Sequence, residues 1–286
     1  MTPAPPDAVN AFLLAATVPR AGAHPDGDVA RADQIRAAYA GVATSSVHAA
    51  AVLGDAAAVE RFLAEDPATA TEPSGPHGWD PLTYLCFSNF LKLDPSRSAG
   101  FVRAATLLLD AGAHPNTGFF EPGHAPEPTF ESAHYGTCGV AHHAALTALL
   151  VARGADVNDD EVTYHPAEGY DNAALGALVA SGRLTADSLA TLLLRKIDWH
   201  DGAGVRWLLS HGADPARPSR WSRNALFHAL SRDSALETIA ALLDHGADGA
   251  EGVRAIAEAD PAAARFRRPA PRRGRDPGRH RDPHGL

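Results

Sequence analysis

The chain has 286 residues, of which 45% are hydrophobic and 21% are charged, so it can build a packed core and is not disordered throughout. Its net charge of −9 at pH 7 argues against a general nucleic-acid binder, which needs a broad basic surface. Two cysteines are too few for a disulfide framework, and no apolar run approaches the ~18–20 residues that cross a bilayer. The start of the chain lacks the positive region of a secretory signal, so we expect a cytoplasmic protein.

An apolar helical end followed by glycine, alanine and a polar residue occurs four times in the chain. The four segments are 107–116, 149–158, 207–215 and 242–248. Helices commonly end at a glycine in the left-handed conformation, and a following Asp or Asn suits a tight turn. The glycines that we predict to end helices are Gly112, Gly154, Gly212 and Gly246.

The spacing of these glycines predicts a repeat. Successive glycines are 42, 58 and 34 residues apart, and the interval of 58 divides at Gly182 into 28 and 30. Such intervals match a helix–turn–helix repeat of ~33 residues that carries insertions. The first helices of six repeats are expected at or near residues 45–51, 80–83, 132–135, 161–164, 191–199 and 224–227.

The repeat resembles the ankyrin repeat, which opens with Thr-Pro-Leu-His, has Gly-His midway and closes with Leu-Leu-Leu-x-x-Gly-Ala-Asp. Residues 45–51 stand at an opening, Gly54 and His142 stand at the midpoint, and the four glycine segments stand at the close. The resemblance covers residues 45–248 and implies an all-α, ankyrin-like helix-turn-helix repeat solenoid of about six repeats. Pro166 should shorten the first helix of the fourth repeat.

The segments on either side of the repeats differ from them. Residues 1–44 are expected to form an N-terminal helical cap, and residues 249–266 a C-terminal capping helix. Residues 265–286 hold eight arginines and two aspartates, a net charge of +6, which leaves −15 for residues 1–264. Rich in arginine and proline, residues 267–286 are expected to be disordered. This tail is either a native basic arm or a truncated or frame-shifted coding end.

In ankyrin-like stacks the first helices line a concave face and the turns between repeats project as fingers, where the resemblance implies that partners bind. Exposed positions of that face should include Phe87 and Gly136. The candidate partner-binding residues on the face are Tyr84, His165, Glu168, Arg195, Trp199, His228 and Arg232. Those in the fingers are Trp79, Phe119, Phe120, Arg217, Arg220 and Trp221. Trp, Tyr and Arg often anchor interfaces, but the aromatic residues can equally fill space between neighbouring first helices.

Fifteen histidines raise the question of a metal site. Cys138 and His142 have helical i, i+4 spacing beside His143, yet a structural zinc site needs four ligands and Cys86 is the only other thiol. We therefore expect structural histidines, a buried Cys86, no metal and no cofactor. The Gly-x-Ser-x-Gly and phosphate-loop motifs are missing, so the chain is not expected to be an enzyme.

The sequence predicts a non-catalytic interaction module that binds another protein, whose docking patch should be basic or of mixed charge because residues 1–264 are acidic. A regulatory, antitoxin-like partner that inhibits an enzyme by occlusion is the alternative, and an enzyme with an unrecognised site is the third reading. Nucleic acid is not an expected partner, except through the basic tail. Abundant arginine and alanine with few lysines suggest a GC-rich bacterial genome.

Overall fold

The computed structural model describes residues 5–18, 28–121, 127–250, 252 and 254. Helices dominate these residues and confirm the predicted all-α repeat fold. Before the repeats lie α1 (Pro6–Ala16) and α2 (Val29–Ala38). Repeat 1 contains α3 (Val47–Val52) and α4 (Ala56–Glu65), and repeat 2 contains α5 (Pro81–Cys86), α6 (Asn89–Leu93) and α7 (Ser98–Asp110). Repeat 3 contains α8 (Ala133–Tyr135) and α9 (Ala144–Ala152), and repeat 4 contains α10 (Ala173–Ala180). Repeat 5 contains α11 (Ala186–Asp198) and α12 (Gly202–Ser210), and repeat 6 contains α13 (Ala225–Ser231) and α14 (Leu236–Asp244).

Some repeats depart from a regular helix pair. Repeat 2 carries the extra helix α6, and repeat 4 has only a 3-10 turn, His165–Ala167, in place of a first helix. Pro166 stands in the first turn of that element, so the predicted shortening is confirmed. Helix α8 continues into a π-helical turn, Gly136–Val140. Further 3-10 turns lie at Val42–Thr44, Pro67–Ala70 and Pro95–Arg97.

The longest finger, residues 116–131, contains an antiparallel hairpin that the sequence analysis did not predict. Strand β1 (Gly118–Glu121) pairs with β2 (Thr129–Ser132), and Phe120 lies opposite Phe130. Facing aromatic side chains stabilise strand pairs. The finger is therefore an ordered element along both strands.

Polar side chains begin several of the first helices. Ser46, Asp80, Thr185 and Asn224 each accept a hydrogen bond from the backbone N–H three residues later, at 2.8–3.1 Å. These bonds satisfy N–H groups that have no partner within the helix. The need for such a cap explains why these repeats open with Ser, Thr, Asp or Asn.

The turns that follow the second helices require glycine. Gly112, Gly154, Gly212 and Gly246 have φ angles between +93° and +108°. A Cβ atom is unfavourable in that region, and glycine has none. The prediction that these glycines end helices is confirmed.

The turn between the two helices of a repeat also uses the left-handed region, but mostly without glycine. Gly54, His142, His200 and Asp233 occupy this place with φ angles of +49° to +63°. A residue other than glycine costs about 1–2 kcal/mol there. The histidines at these turns are therefore tolerated at the expense of some stability.

Replacing His200 by glycine is expected to raise the free energy of unfolding by about 1 kcal/mol. Removing the left-handed strain stabilises the folded state, and the extra freedom of glycine in the unfolded chain offsets part of that gain. Urea unfolding followed by circular dichroism measures the change. His211→Gly is the matched control, because the φ angle of His211 is −105° and glycine relieves nothing there. Equal destabilisation by both substitutions would show that the left-handed turn is not strained.

The helix pairs stack in two layers. In one layer, α3, α5, α8 with its π-helical turn, the turn at 165–167, α11 and α13 contact one another in chain order. In the other, α4, α7, α9 and α10 do so, and α12 packs on α14. The buried apolar side chains form two clusters, one from Phe12 to Leu178 and one from Ala167 to Leu242, and Leu184 packs against both. The change from one cluster to the other falls at repeats 4 and 5.

The segments outside the repeats are described only in part. Helix α1 contacts α2 and α3 and buries Phe12 and Leu13, so it covers one end of the first-helix layer. The predicted tail, residues 267–286, lies outside the described residues, as does most of the predicted capping segment, residues 249–266.

Candidate partner-binding site

A row of aromatic rings runs along the first helices from repeat 1 to the finger before repeat 6. Consecutive ring centroids lie 4.8–6.0 Å apart, within the range of favourable ring contacts. In order of contact, the members of this aromatic row are His48, Tyr84, Trp79, Phe87, Tyr135, His165, Tyr164 and Trp221.

Most of the aromatic row is buried, which corrects part of the sequence analysis. Tyr84 and Phe87 expose 0% and 2% of their surface, so the prediction that these positions are exposed is wrong. Gly136 is buried as well, and it packs so closely that a Cβ atom there would lie 2.9 Å from the backbone oxygen of Cys86. Neighbouring first helices stack closely, and large rings fill the space between them.

Two of the fingers fold back onto the first helices. Trp79 is 3% exposed and stacks between His77 and Phe119, with centroid distances of 4.2 and 4.3 Å. The Tyr84 hydroxyl donates to the Ser74 carbonyl at 3.1 Å, which ties the first finger down. The contacts of Trp79, Tyr84 and Phe119 are thus mostly internal.

One aromatic residue of strand β1 is more accessible than these rings. Phe120 exposes 64% of its surface and lies 5.1 Å from Phe130 across the strand pair. Phe120 is therefore the candidate in this part of the chain that a partner reaches most easily.

A chain of ion pairs and hydrogen bonds crosses repeats 4, 5 and 6 beside the aromatic row. Successive members are joined by nitrogen–oxygen distances of 2.5–3.2 Å. The members of this ion-pair network are Glu161, His165, Glu168, Arg195, Asp198, His228 and Arg232. Five of them were candidates from the sequence, and the structure joins them to one another.

Arg195 and Asp198 are the centre of the ion-pair network. Arg195 donates to Glu168 and to Asp198, at 2.5 Å each, and its guanidinium carbon lies 3.8 Å from the Tyr164 ring centroid. The side chains of Arg195, Glu168 and Asp198 are only 13–24% exposed, so water screens these charges less than it screens surface pairs. The network therefore fixes the positions of its central groups.

The two histidines of the network differ in charge. Burial lowers the pKa of His165, but hydrogen bonds to Glu161 and Glu168 outweigh burial and raise the pKa to about 9, so this ring is protonated at pH 7. Burial lowers the pKa of His228 against the opposing effect of Asp198, so this ring is neutral at pH 7. His228 is 5% exposed, not the exposed position that the sequence analysis expected.

A cavity of about 470 Å³ opens beside the network, where α11, α13 and the finger at residues 214–224 meet. Trp221, 45% exposed, stands at the cavity with its ring edge-on to Tyr164 at 5.8 Å. The residues that line this partner cavity are Tyr164, Leu194, Arg195, Asp198, Trp221, Arg223, His228 and Arg232. Half of them were candidates from the sequence, namely Arg195, Trp221, His228 and Arg232.

The other four lining residues, Tyr164, Leu194, Asp198 and Arg223, were not among the candidates. Asp198 follows Arg195 by three residues on α11, a spacing that places two side chains on one helix face and would have indicated the pair. No local signal places Tyr164 beside Trp221, because the two belong to different repeats and meet only through stacking.

The remaining candidates lie outside the partner cavity. Arg217 pairs with Asp187 and Arg220 with Asp160, each at 2.6 Å, in exposed pairs of a kind that typically contributes about 0–1 kcal/mol. Trp199 follows α11, exposes 40% of its surface and is not among the lining residues.

The cysteines and neighbouring histidines have internal contacts. Both thiols are buried, and burial raises the pKa of Cys86 and of Cys138. His143 accepts the N–H of Leu146 at 3.1 Å and so caps α9. Among the described residues, no group of three or more His, Cys, Asp and Glu side chains is arranged to hold a metal ion.

Two stacked layers of helices, joined by left-handed turns, define a helix–turn–helix repeat solenoid. Its type is shown by comparison with solved structures. The chain is similar to the crystal structure of the human ASB11 ankyrin repeat domain, with a TM-score of 0.53 and 22% sequence identity. The match covers 71% of this chain and 84% of that chain, so the ankyrin-like fold is shown.

Sequence comparisons add no closer classification. No family model matches the chain, and no curated protein matches its sequence. Within the part of the chain that the structure describes, no helix has both the length and the apolar character needed to cross a membrane.

Proposed function

We propose that the protein is a non-catalytic binding module and that its partner, another protein, docks at the partner cavity. The observation that supports this is the combination of a concave pocket with exposed Trp221, Arg223 and Arg232. Tryptophan and arginine are enriched among the residues that carry most binding energy in interfaces. The first-helix face of repeats 1–3 offers a partner less accessible aromatic surface, because its aromatic residues already pack against one another.

The base of the cavity is held in place before any partner arrives. Arg195 and His228 have side chains that are 13% and 6% exposed, and both are bound to Asp198. Groups that are already ordered lose little conformational entropy on binding. The partner cavity thus combines a rigid base with a more exposed aromatic and arginine rim.

The chemistry of the lining residues supports binding rather than catalysis. His228 and Asp198 form a pair at 2.7 Å, as in a catalytic dyad. In hydrolases of the Ser-His and Cys-His type, such a pair activates a serine hydroxyl or a cysteine thiol beside the histidine. Among the described residues, no serine, threonine or cysteine lines the cavity, and both thiols are buried elsewhere.

The proposal predicts that a photoreactive phenylalanine analogue at position 221 cross-links to one distinct protein in the native cells, because Trp221 stands at the docking surface. Mass spectrometry of the adduct identifies the protein. If that protein is an enzyme, its activity with and without the chain distinguishes inhibition by occlusion from simple docking.

Position 207 provides the control for this experiment. Trp207 lies on the second-helix layer and stacks on His211, away from the partner cavity. The proposal requires an adduct at position 221 that is absent at position 207. Adducts that form at position 207 and not at 221 would place the partner on the opposite layer and contradict the proposal.

A further inference from the structure

The single carboxylate among the residues that line the partner cavity is already fully engaged. Asp198 Oδ2 accepts from Arg195 at 2.5 Å, and Oδ1 accepts from His228 and from Arg232, at 2.7 and 3.0 Å. Asp198 therefore has little capacity left for a cationic group of a partner. What the cavity still offers to a ligand is hydrogen-bond donors.

The donors come from two exposed arginines. Arg232 contacts Asp198 through Nε, its side chain is 53% exposed, and the described contacts do not engage its two terminal nitrogens. Arg223 is exposed and makes no ion pair with any residue that the structure describes. Guanidinium groups with free N–H bonds match the geometry of carboxylate and phosphate oxygens.

The charge at the partner cavity is opposite in sign to the net charge of residues 1–264. Arg195, Arg223 and Arg232 stand against the carboxylates of Glu168 and Asp198, which leaves one positive charge in excess at the cavity. One monovalent anion neutralises that excess. A polyanion such as nucleic acid would also meet the net charge of −15 carried by residues 1–264, which opposes its approach.

We propose that the partner cavity binds an acidic peptide segment, with one Asp or Glu carboxylate held by Arg223 and Arg232 and a neighbouring apolar side chain against Trp221 and Tyr164. This inference rests on the proposed function and names the chemistry of the partner. It differs from the sequence-based expectation of a basic or mixed-charge docking patch, which used only the net charge. The local donors outweigh that net charge at the short range where contacts form.

Random twelve-residue peptides displayed on phage and selected on the immobilised full chain provide the test. Selected peptides are expected to carry Asp or Glu beside an apolar residue. Changing that acid to its amide in a synthetic peptide should weaken binding roughly tenfold or more, as should Arg223→Gln in the protein, because each removes a charge-assisted contact. Arg223 has no ion pair among the described residues, so its substitution should leave the fold intact.

Arg206→Gln is the matched control, because Arg206 is an exposed arginine on the second-helix layer. It should leave peptide affinity unchanged. Selected peptides that lack acids but lose binding with Trp221→Ala would overturn the inference and leave the proposed function in place. Peptides that bind equally well to Trp221→Ala would count against both. A phosphoserine peptide that binds at least about tenfold tighter than its glutamate form would overturn the carboxylate assignment.

Discussion

Glu131→Gln is expected to stabilise the folded protein by about 3 kcal/mol at pH 7. Glu131 lies in β2, exposes 1% of its surface, and has a buried Oε2 without a hydrogen-bond partner among the described residues. Burial and the charges of Glu161 and Glu121 raise its pKa to about 8. Glutamine has a similar shape and no charge to bury, so it avoids the cost of keeping this group protonated.

The direction of the pH dependence follows from the same shift. The pKa of Glu131 rises from 4.5 to about 8 on folding, so its contribution to stability is present below pH 4.5 and is lost as the pH rises to 8. The pKa of His165 rises from 6.5 to about 9, and its contribution is lost across that interval. Both groups therefore predict falling stability as the pH rises from 5 to about 9.

Unfolding free energies measured in urea at several pH values check this prediction. The Glu131→Gln protein should lose the fall in stability that Glu131 contributes between pH 4.5 and 8 and keep the part that His165 contributes. Glu127→Gln is the control, because Glu127 is exposed between the two strands of the same hairpin. A slope that is equal in wild type and Glu131→Gln would contradict the assignment of this carboxyl.

Lys196→Met is expected to lower the free energy of unfolding by about 3–5 kcal/mol. The Lys196 side chain is 0% exposed, and its Nζ donates to the Gly169 carbonyl at 2.9 Å and pairs with Asp201 at 3.1 Å. Methionine retains much of the apolar stem but leaves Asp201, which is 6% exposed, without its positive partner. The pair lies within repeat 5, and the bond from Lys196 to Gly169 reaches back to repeat 4, where one apolar cluster gives way to the other.

A double-mutant cycle separates the ion pair from simple packing. Asp201→Asn removes the charge, and asparagine can still accept the N–H of Gly204 that Asp201 accepts at 2.8 Å. In the Lys196→Met, Asp201→Asn protein, part of the lost stability should return, with a coupling energy above about 1 kcal/mol. Purely additive effects would mean that the pair does not account for the loss.

The sequence predicts those parts of the fold that depend on local backbone chemistry. Gly112 and the equivalent glycines could be predicted because φ angles of +93° to +108° suit glycine best, and the effect of Pro166 could be predicted because proline limits a helix. The hairpin at 118–132 could not be predicted, because its pairing depends on contacts across a loop. Fold class and repeat period therefore follow from the sequence, and the conformation of the fingers does not.

The candidate site was predictable only in composition. Arg195, His228 and Arg232 were identified from their register, but their mutual ion pairs depend on Asp198 and on how three repeats stack. Tyr84 has the same residue type and register as an interface anchor, yet it is buried between first helices. Burial at a given register position depends on the neighbouring repeats, and the sequence of one repeat does not contain that information.

Hydrogen exchange of the full chain, measured with and without a partner that co-purifies through an affinity tag, tests whether the partner docks at the partner cavity. The partner is expected to slow amide exchange in the finger at 214–224 and in α13, which border the partner cavity. Little change is expected in the finger at 74–79, whose Trp79 is already buried. Protection confined to residues 74–79 and the hairpin, with none at 214–224, would contradict the assignment of the binding site to repeats 4–6.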